Sequence, residues 1–275
     1  MSFTKKTLFY SDPVNDDFAA TNGKISVKKV GSEYRYLHTS PLWKAVSFLL
    51  YRLIATPLVY IACKVWLSVR VKGRKNLRSI KTGFFFYGNH TQNATDAYLP
   101  AILAFPRRNY VLTGPETVSV PVVGSITAFL GAMPLNDTTA GTVRLLSALK
   151  YFTKQKNSAV TIYPEAHIWP YCNFVRPFSA SSFYYPAKLN LPAVPFVVTY
   201  RERKVFKKLH PVATVYIGQP IYPDPELSLS ENRKRMRDAC FEFMSSTAEK
   251  YSTAEYIRYI SVKEQKNTDA AEVKA

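Results

Sequence analysis

The sequence predicts an α/β fold, with a mixed, largely parallel sheet flanked by helices and preceded by an interfacial helical hairpin. Three observations lead to this prediction. Short apolar runs typical of buried strands alternate along the chain with segments of helical periodicity, which is the pattern of α/β domains. The 275 residues are enough for one large α/β domain or two small ones. An apolar, basic segment without acidic residues precedes the first strand of this alternation.

The segment at residues 42–69 predicts two consecutive helices that lie in a membrane interface. A spanning helix needs about 20 nearly uncharged residues, and Arg52 and Pro57 interrupt this run at its centre. Aromatic residues suited to headgroup depth are Trp43, Tyr51, Tyr60 and Trp66, and a basic cluster of Arg70, Lys72, Arg74 and Lys75 follows. Attraction to anionic lipid is about 1 kcal/mol for each basic residue near the surface. The alternative is a helical hairpin buried in the core.

Residues 1–41 are predicted to form an irregular N-terminal arm, with a short strand over residues 34–38. Further strands are predicted over 69–72, 83–87, 110–113, 133–135, 159–163, 192–200 and 213–217. Helices are predicted over 94–104, 120–130, 139–154 and 230–250, the last of them capped by Ser230. Residues 262–275 are polar and form a predicted tail.

The composition points to a polyanionic partner. Lys and Arg number 37 against 19 Asp and Glu, a formal net charge of +18, which favours nucleic acid or an anionic membrane. No nucleic-acid-binding module is visible in the sequence, so no nucleic acid is expected. Aromatic residues make up 14% of the chain, which suits an apolar ligand, a bilayer interface or a large core.

Several chemistries are disfavoured by the residues present. The three cysteines, Cys63, Cys172 and Cys240, are too widely spaced for a disulfide framework or a metal site, which indicates a reducing compartment. The start of the chain has no apolar core of signal-peptide length, so export is not expected. Neither a glycine-rich phosphate loop nor a nucleophile elbow is present. A metal held by His90, Asp96, Glu165 and His167 stays a minor alternative, because their spacing is not that of a metal site.

Two predicted strands end in residues that can carry chemistry. The strand over 83–87 leads into Asn89, His90 and Thr91, with Asp96 six residues after the histidine. An imidazole can accept a proton near neutral pH, and a carboxylate can hold its tautomer and stabilise its charged form. The alternative is a loop histidine beside a helix N-cap carboxylate. The strand over 159–163 leads into a second polar end that contains Glu165.

Three ordered motifs resemble those of the PlsC-type glycerolipid acyltransferase family. The segment from His90 to Asp96 resembles the His-x4-Asp motif of the family, and residues 163–167, Tyr-Pro-Glu-Ala-His, resemble its Phe-Pro-Glu-Gly-Thr-Arg motif. Residues 194–198 resemble its late Val-Pro strand, and the block that begins at Gly131 is a fainter match to a fourth motif. The resemblance covers about residues 70–220.

The resemblance implies acyl transfer from a fatty acyl thioester, acyl-CoA or acyl carrier protein, to the hydroxyl of a lysophospholipid, foremost 1-acylglycerol-3-phosphate. His90 and Asp96 would be catalytic. The residues expected to bind substrate are Asn89, Thr91, Gly131, Glu165, His167 and Arg176. No cofactor or metal is implied. Residues 70–261 would form the acyltransferase domain, on the cytoplasmic face of a membrane with an anionic leaflet, as a peripheral or monotopic protein.

The sequence departs from the family pattern at several positions. The separation is His-x5-Asp, one residue longer than usual, so Asn93 is an alternative partner for His90. Ala166, His167, Ile168 and Asp137 stand where the family has Gly, Thr and two arginines. Because those arginines hold the acceptor phosphate in the family, Arg176, Arg144 and Lys188 are candidates to replace them. Two alternatives follow: an acyltransferase for another acceptor, or a non-catalytic basic protein that binds membranes or nucleic acid on a degenerate acyltransferase fold.

Overall fold

A seven-stranded sheet with one antiparallel pair forms the centre of the protein. The computed structural model describes residues 4–19, 26–27, 29–65, 68–92, 95–120, 123–205 and 209–263. The strands are β2 (Arg70–Lys72), β3 (Phe84–Gly88), β4 (Asn109–Thr113), β5 (Ala132–Pro134), β6 (Ala159–Ile162), β7 (Ala193–Arg201) and β8 (Val212–Ile217), and β1 lies outside this sheet. Their order is β2-β8-β7-β3-β6-β4-β5, and only β7 and β8 pair antiparallel. The predicted mixed, largely parallel α/β fold is confirmed.

Helices cover both faces of the sheet. They are α1 (Pro41–Phe48), α2 (Thr56–Val65), α3 (Leu99–Ala104), α4 (Glu116–Ser119), α5 (Val123–Leu130), α6 (Thr139–Lys150), α7 (Tyr184–Leu189) and α8 (Leu229–Tyr251). α8 begins at a capping box in which the Ser228 hydroxyl accepts from Glu231 N–H while the Glu231 carboxylate accepts from Ser228 N–H. The predicted cap at Ser230 is therefore wrong by two residues.

Strand β3 lies in the middle of the sheet and supplies both cores. Its residues have no exposed surface, with Phe84 and Phe86 in one core and Phe85 and Tyr87 in the other. This alternation is what a strand buried on both faces requires. The last residue of the strand, Gly88, must be a glycine because a Cβ there would lie 2.1 Å from the Phe196 ring.

A second, two-stranded sheet joins the two ends of the described chain. β1 (Lys6–Tyr10) pairs in parallel with β9 (Ile257–Ser261). The sequence predicted neither strand, whereas the strand predicted over residues 34–38 is wrong, since that segment is irregular. Both errors arise because a short strand is fixed by its partner and not by local propensity. The partner of β1 is about 250 residues away in the chain. At residues 34–38 the alternation is a local pattern that does not by itself supply a partner strand.

The apolar segment ahead of the sheet is one continuous helix over Pro41–Val65, so the predicted hairpin is wrong. Between α1 and α2 lies a π-helical stretch, Leu49–Ala55. Directly after this stretch, Thr56 Oγ1 donates to the Tyr51 carbonyl at 2.6 Å. Pro57 follows without ending the helix. Judged by length and composition, this is the one helix in the described part of the chain that can cross a membrane. Trp66 lies outside the described residues.

The outer face of this long helix is an apolar stripe. Of the 24 large hydrophobic side chains exposed in the described residues, 10 lie on it, among them Leu42, Val46, Leu49, Leu53, Leu58, Ile61 and Val65. The seven residues named here are spaced three or four residues apart, except that Leu53 and Leu58 are five apart. The hydrogen bonds of a π-helix reach one residue further than those of an α-helix, so the π-helical stretch keeps the stripe on one face.

Candidate active site

The two predicted polar strand ends meet at one edge of the sheet. β3 and β6 are parallel neighbours, and Tyr87 lies opposite Ile162 in their register. His90 and Glu165 each follow three residues later, so the fold delivers them to the same edge, here called the carboxyl edge. His90 N–H donates to Glu165 Oε2 at 3.2 Å and joins the two loops. Open α/β sheets carry their sites at this edge.

His90 and Asp96 are in direct contact. His90 Nδ1 lies 2.8 Å from Asp96 Oδ2, and the backbone N–H groups of Thr91 and Gln92 donate to the same oxygen at 2.9 Å each. The carboxylate is 1% exposed. The extra residue in the His-x5-Asp separation therefore does not keep the two side chains apart, and Asn93 lies outside the described residues.

Tyr163 supports both members of the pair. Its ring stacks on the His90 ring at a centroid separation of 4.4 Å, and its hydroxyl donates to the Asp96 carbonyl at 2.6 Å. Burial, together with the Asp96 charge, raises the pKa of Tyr163 well above its usual value, so it stays a neutral donor. The His90 side chain keeps 17% exposure, and Nε2 is the ring nitrogen that Asp96 does not engage.

Buried polar side chains behind the pair hold its loop against β7. Asn89 exchanges two hydrogen bonds with the backbone of Val198, at 3.0 and 2.8 Å. The Tyr200 hydroxyl lies 2.7 Å from Thr91 Oγ1 and accepts from Gln92 Nε2 at 2.7 Å. Asn89 and Thr91, which the sequence predicted as substrate ligands, are thus buried in the protein and position the loop. Tyr163, Gln92 and Tyr200 were not predicted. Gln92 lies two residues from His90 in the chain, whereas only the order and register of the strands bring Tyr163 and Tyr200 to this loop.

Glu165 and Arg176 form a fully buried ion pair next to the histidine. Arg176 Nη2 lies 3.0 Å from Glu165 Oε2, Arg176 N–H donates to Oε1 at 3.1 Å, and the guanidinium lies over the Trp169 ring at 4.8 Å. Burial raises the pKa of Glu165, while the Arg176 charge and the backbone donors oppose that rise. The Arg176 side chain is 0% exposed, so it offers no surface to an incoming phosphate. In this structure Arg176 is the partner of Glu165, and its role as a phosphate ligand stays a prediction.

The other predicted residues lie apart from His90. His167 Nδ1 is 3.7 Å from Asp17 Oδ2 on the N-terminal arm. Gly131 precedes β5 with a φ of +97° and lies at the opposite end of the strands, with β4 and β6 between β5 and β3. Arg144 is half exposed and pairs with Glu33 at 3.4 Å, and Lys188 is exposed on α7. No group of three or more His, Cys, Asp or Glu in the described ranges is arranged to hold a metal ion.

The long helix approaches this edge at its second end. Cys63, near the end of α2, is buried against α3 and the core that contains Phe84 and Phe86. Burial raises the pKa of its thiol to about 11, and the Asp96 charge adds to the rise. The end of the apolar stripe therefore lies on the same side of the molecule as the His90 site.

Comparison with known proteins identifies the region that contains this site. The sequence model of the acyltransferase family matches residues 68–199, which include His90, Asp96 and Glu165. The crystal structure of the 1-acyl-sn-glycerophosphate (LPA) acyltransferase PlsC from Thermotoga maritima is similar, with 19% sequence identity and a TM-score of 0.48. That match covers 76% of this chain and 79% of the other. No curated protein matches the chain.

Proposed function

We propose that this chain, whose residues 68–199 match the sequence model of the acyltransferase family, transfers a fatty acyl group from a thioester to the free hydroxyl of a lysophospholipid. The acceptor we put first is 1-acylglycerol-3-phosphate, which would give phosphatidic acid. The observation that carries the proposal is the 2.8 Å contact between His90 Nδ1 and Asp96 Oδ2 at a partly exposed position.

In the proposed mechanism, His90 Nε2 accepts the proton of the acceptor hydroxyl while the hydroxyl oxygen attacks the thioester carbonyl. The new C–O bond forms, the C–S bond breaks, and the proton passes from the imidazolium to the departing thiolate. A base of this kind contributes typically about 10² to 10⁴ in rate. Asp96 holds the Nδ1–H tautomer and stabilises the imidazolium, and no covalent enzyme intermediate is needed because the acceptor is itself the nucleophile.

In this scheme Glu165 acts on the base indirectly, by holding the backbone N–H of His90. Its carboxylate accepts the His90 N–H and is itself held by the buried Arg176. Together they fix the loop that carries the base, so both are positioning residues. A phosphate on the acceptor would have to meet other cations, for which the exposed Arg144 and Lys188 remain candidates. The alternative acceptor, a neutral lysolipid or another alcohol, is favoured by the burial of Arg176.

The apolar stripe of the long helix supports action at a membrane, where lysolipids and their products reside. The stripe, its mostly exposed setting and the net charge of +18 suit the cytoplasmic face of a membrane with an anionic leaflet. The donor is proposed to be acyl-CoA or acyl carrier protein. The acyl chain length is left open.

An acceptor panel with a single acyl-CoA donor tests the proposal. Thiol release is measured with 1-acylglycerol-3-phosphate, lysophosphatidylcholine, monoacylglycerol and no acceptor, and the lipid products are separated by chromatography. We expect release and phosphatidic acid formation with the first acceptor. Preference for a neutral acceptor would select the alternative transferase. If no acceptor or donor, including acyl carrier protein, raises release above that of the His90→Ala protein, the degenerate, non-catalytic alternative holds.

A further inference from the structure

A cavity of about 550 Å³ lies at the edge of the sheet opposite the His90 site. Here β4, β5 and β6 begin, so it is called the amino edge. Tyr110 and Met133, at the starts of two strands, form part of its floor. Further lining comes from the long helix, with Trp43, from residues 34–39 of the N-terminal arm, and from residues 151–152 and 156–158. No residue of the His90 site lines this cavity.

The charge of this cavity, here called the basic cavity, is one-sided. Its lining includes six cationic residues: Arg35, Lys44, Arg52, Arg107, Arg108 and Lys156. No Asp or Glu lines it, although the chain as a whole has 19 acidic residues for 37 basic ones. Within the described ranges, none of the six forms an ion pair with a carboxylate. The cavity is therefore electrostatically complementary to an anion.

The positive charge of Arg108 is held in place at the cavity by contacts with neighbouring residues. Its guanidinium lies over the rings of Tyr51 at 4.6 Å and Tyr110 at 5.1 Å, and Nη2 donates to Ser47 Oγ at 2.8 Å and to the Phe129 carbonyl at 2.7 Å. Every one of these partners is neutral. Its Nε is buried without a hydrogen-bond partner in the described structure, as is Nη1 of Arg52. Both side chains are half-buried, and a partly desolvated cation attracts an anion more strongly than a fully solvated one does.

The remaining lining includes six Tyr, Phe and Trp side chains and borders the apolar stripe. Trp43 stacks on His38 at 3.9 Å and on Phe129 at 4.9 Å, so it presents a rigid apolar wall. Leu42 and Val46, which flank Trp43 and Lys44 in the long helix, belong to the exposed stripe. A ligand with a phosphate in the cavity thus has an uncharged, apolar path leading out along the helix. A free phosphate ion would leave most of the 550 Å³ unfilled.

We propose that the basic cavity binds the phosphate-bearing headgroup of an anionic phospholipid, whose acyl chains continue along the apolar stripe. Because the cavity is formed jointly by the long helix and the start of the sheet, the lipid holds the helix against the domain at the edge remote from His90. The site is separate from the proposed acyl-transfer site and does not depend on it.

Binding is tested with the full-length protein and monomeric dihexanoyl phosphatidylglycerol, by calorimetric titration below the critical micelle concentration. The variant is Lys44→Gln/Lys156→Gln, which removes two exposed lining charges that make no ion pair in the described structure. The matched control is Lys64→Gln/Lys154→Gln, which removes the same charge from the same helix and the same segment outside the cavity. Dihexanoyl phosphatidylcholine and inorganic phosphate are titrated in parallel.

We expect saturable binding of the phosphatidylglycerol that weakens about thirtyfold in the cavity variant, because this variant loses the attraction of two basic side chains for the anionic headgroup. The control variant should bind like the wild type, and the zwitterionic lipid more weakly. Equal weakening in both double variants would overturn the proposal, because the attraction would then be general. Absence of saturable binding would overturn it as well. Phosphate that binds as tightly as the lipid would identify a site for free phosphate and reject the lipid headgroup.

Discussion

The carboxyl and amino edges of the same sheet differ in how their charges are satisfied. At the carboxyl edge, the carboxylates of Asp96 and Glu165 are buried, and each accepts several hydrogen bonds from the protein itself. At the amino edge, the half-buried Arg108 makes no ion pair in the described residues and is held by neutral groups. Both carboxylates at the carboxyl edge therefore have partners within the protein, whereas the six cations of the basic cavity make no ion pair in the described residues.

The difference separates two kinds of site. A base must be held in one geometry before its substrate arrives, so its partners belong to the protein. A binding cavity gains affinity from charges that the ligand completes, so it stays one-signed until the ligand enters. Mutations at the carboxyl edge should therefore affect rate and folding, and mutations around the amino edge and the long helix should affect lipid binding.

The largest expected effect is that of His90→Ala on the rate. We expect kcat for acyl transfer to fall by about 10² to 10⁴, the contribution of a general base. Circular dichroism and liposome binding should stay unchanged, since the ring is partly exposed and its contacts are confined to this edge. A purified variant with near wild-type kcat would remove the basis for the proposed mechanism.

Asp96→Asn should lower kcat by about 10², because an amide cannot stabilise the imidazolium as a carboxylate does. The amide also presents donors where the Thr91 and Gln92 N–H groups need an acceptor. Asp238→Asn on α8, which carries the same substitution beside the partly exposed Arg237, is the control. Equal rates for the two variants would show that Asp96 does not act on His90.

Glu165→Gln should destabilise the protein by about 3 to 5 kcal/mol, because it leaves the buried Arg176 charge unpaired. The free energy of unfolding in urea measures this change. Glu33→Gln breaks the exposed pair with Arg144 and should cost about 0 to 1 kcal/mol. A similar cost for both variants would mean that the carboxyl edge does not depend on its buried pair.

The smallest effect concerns the apolar stripe. Leu53→Glu should lower partitioning into anionic liposomes about tenfold, because burying a leucine side chain is worth about 1.5 to 3 kcal/mol. Val143→Glu is the matched control: Val143 on α6 is 59% exposed and Leu53 is 62% exposed. If the control lowered partitioning equally, added negative charge would be the cause, and the stripe would not be the contact surface.

Much of the fold was predictable because its central strands are buried on both faces. A strand such as β3 or β6 must be apolar throughout, and the helices between them carry their own periodicity, so both are visible in a local stretch of sequence. The order of the strands and the register of the sheet are not local properties. They bring Tyr163 to His90 and Tyr200 to Thr91 and Gln92 on the same loop, and for that reason neither tyrosine was predicted.

The structure departs from the expectations for Arg176, Arg52 and Pro57 for a shared reason. Each side chain can be accommodated by more than one set of neighbours in a fold. Arg176 was an attractive phosphate ligand as an isolated cation, but the fold places it against Glu165. Arg52 was expected to interrupt an apolar helix, yet its guanidinium turns inward and donates to the Pro106 carbonyl, so the outer stripe stays uncharged. Pro57 was expected to split the helix, and the π-helical stretch before it accommodates the proline instead.

The sequence by itself determined the α/β class, the two polar strand ends and the apolar, basic segment ahead of them. These features are encoded in neighbouring residues, where periodicity and composition act directly. Only the tertiary structure decided that Asp96 reaches His90 across five intervening residues, that Arg176 is buried, and that six cations line one cavity at the amino edge. Those outcomes depend on contacts between residues far apart in the chain, whose relative positions are set by the register and order of the strands.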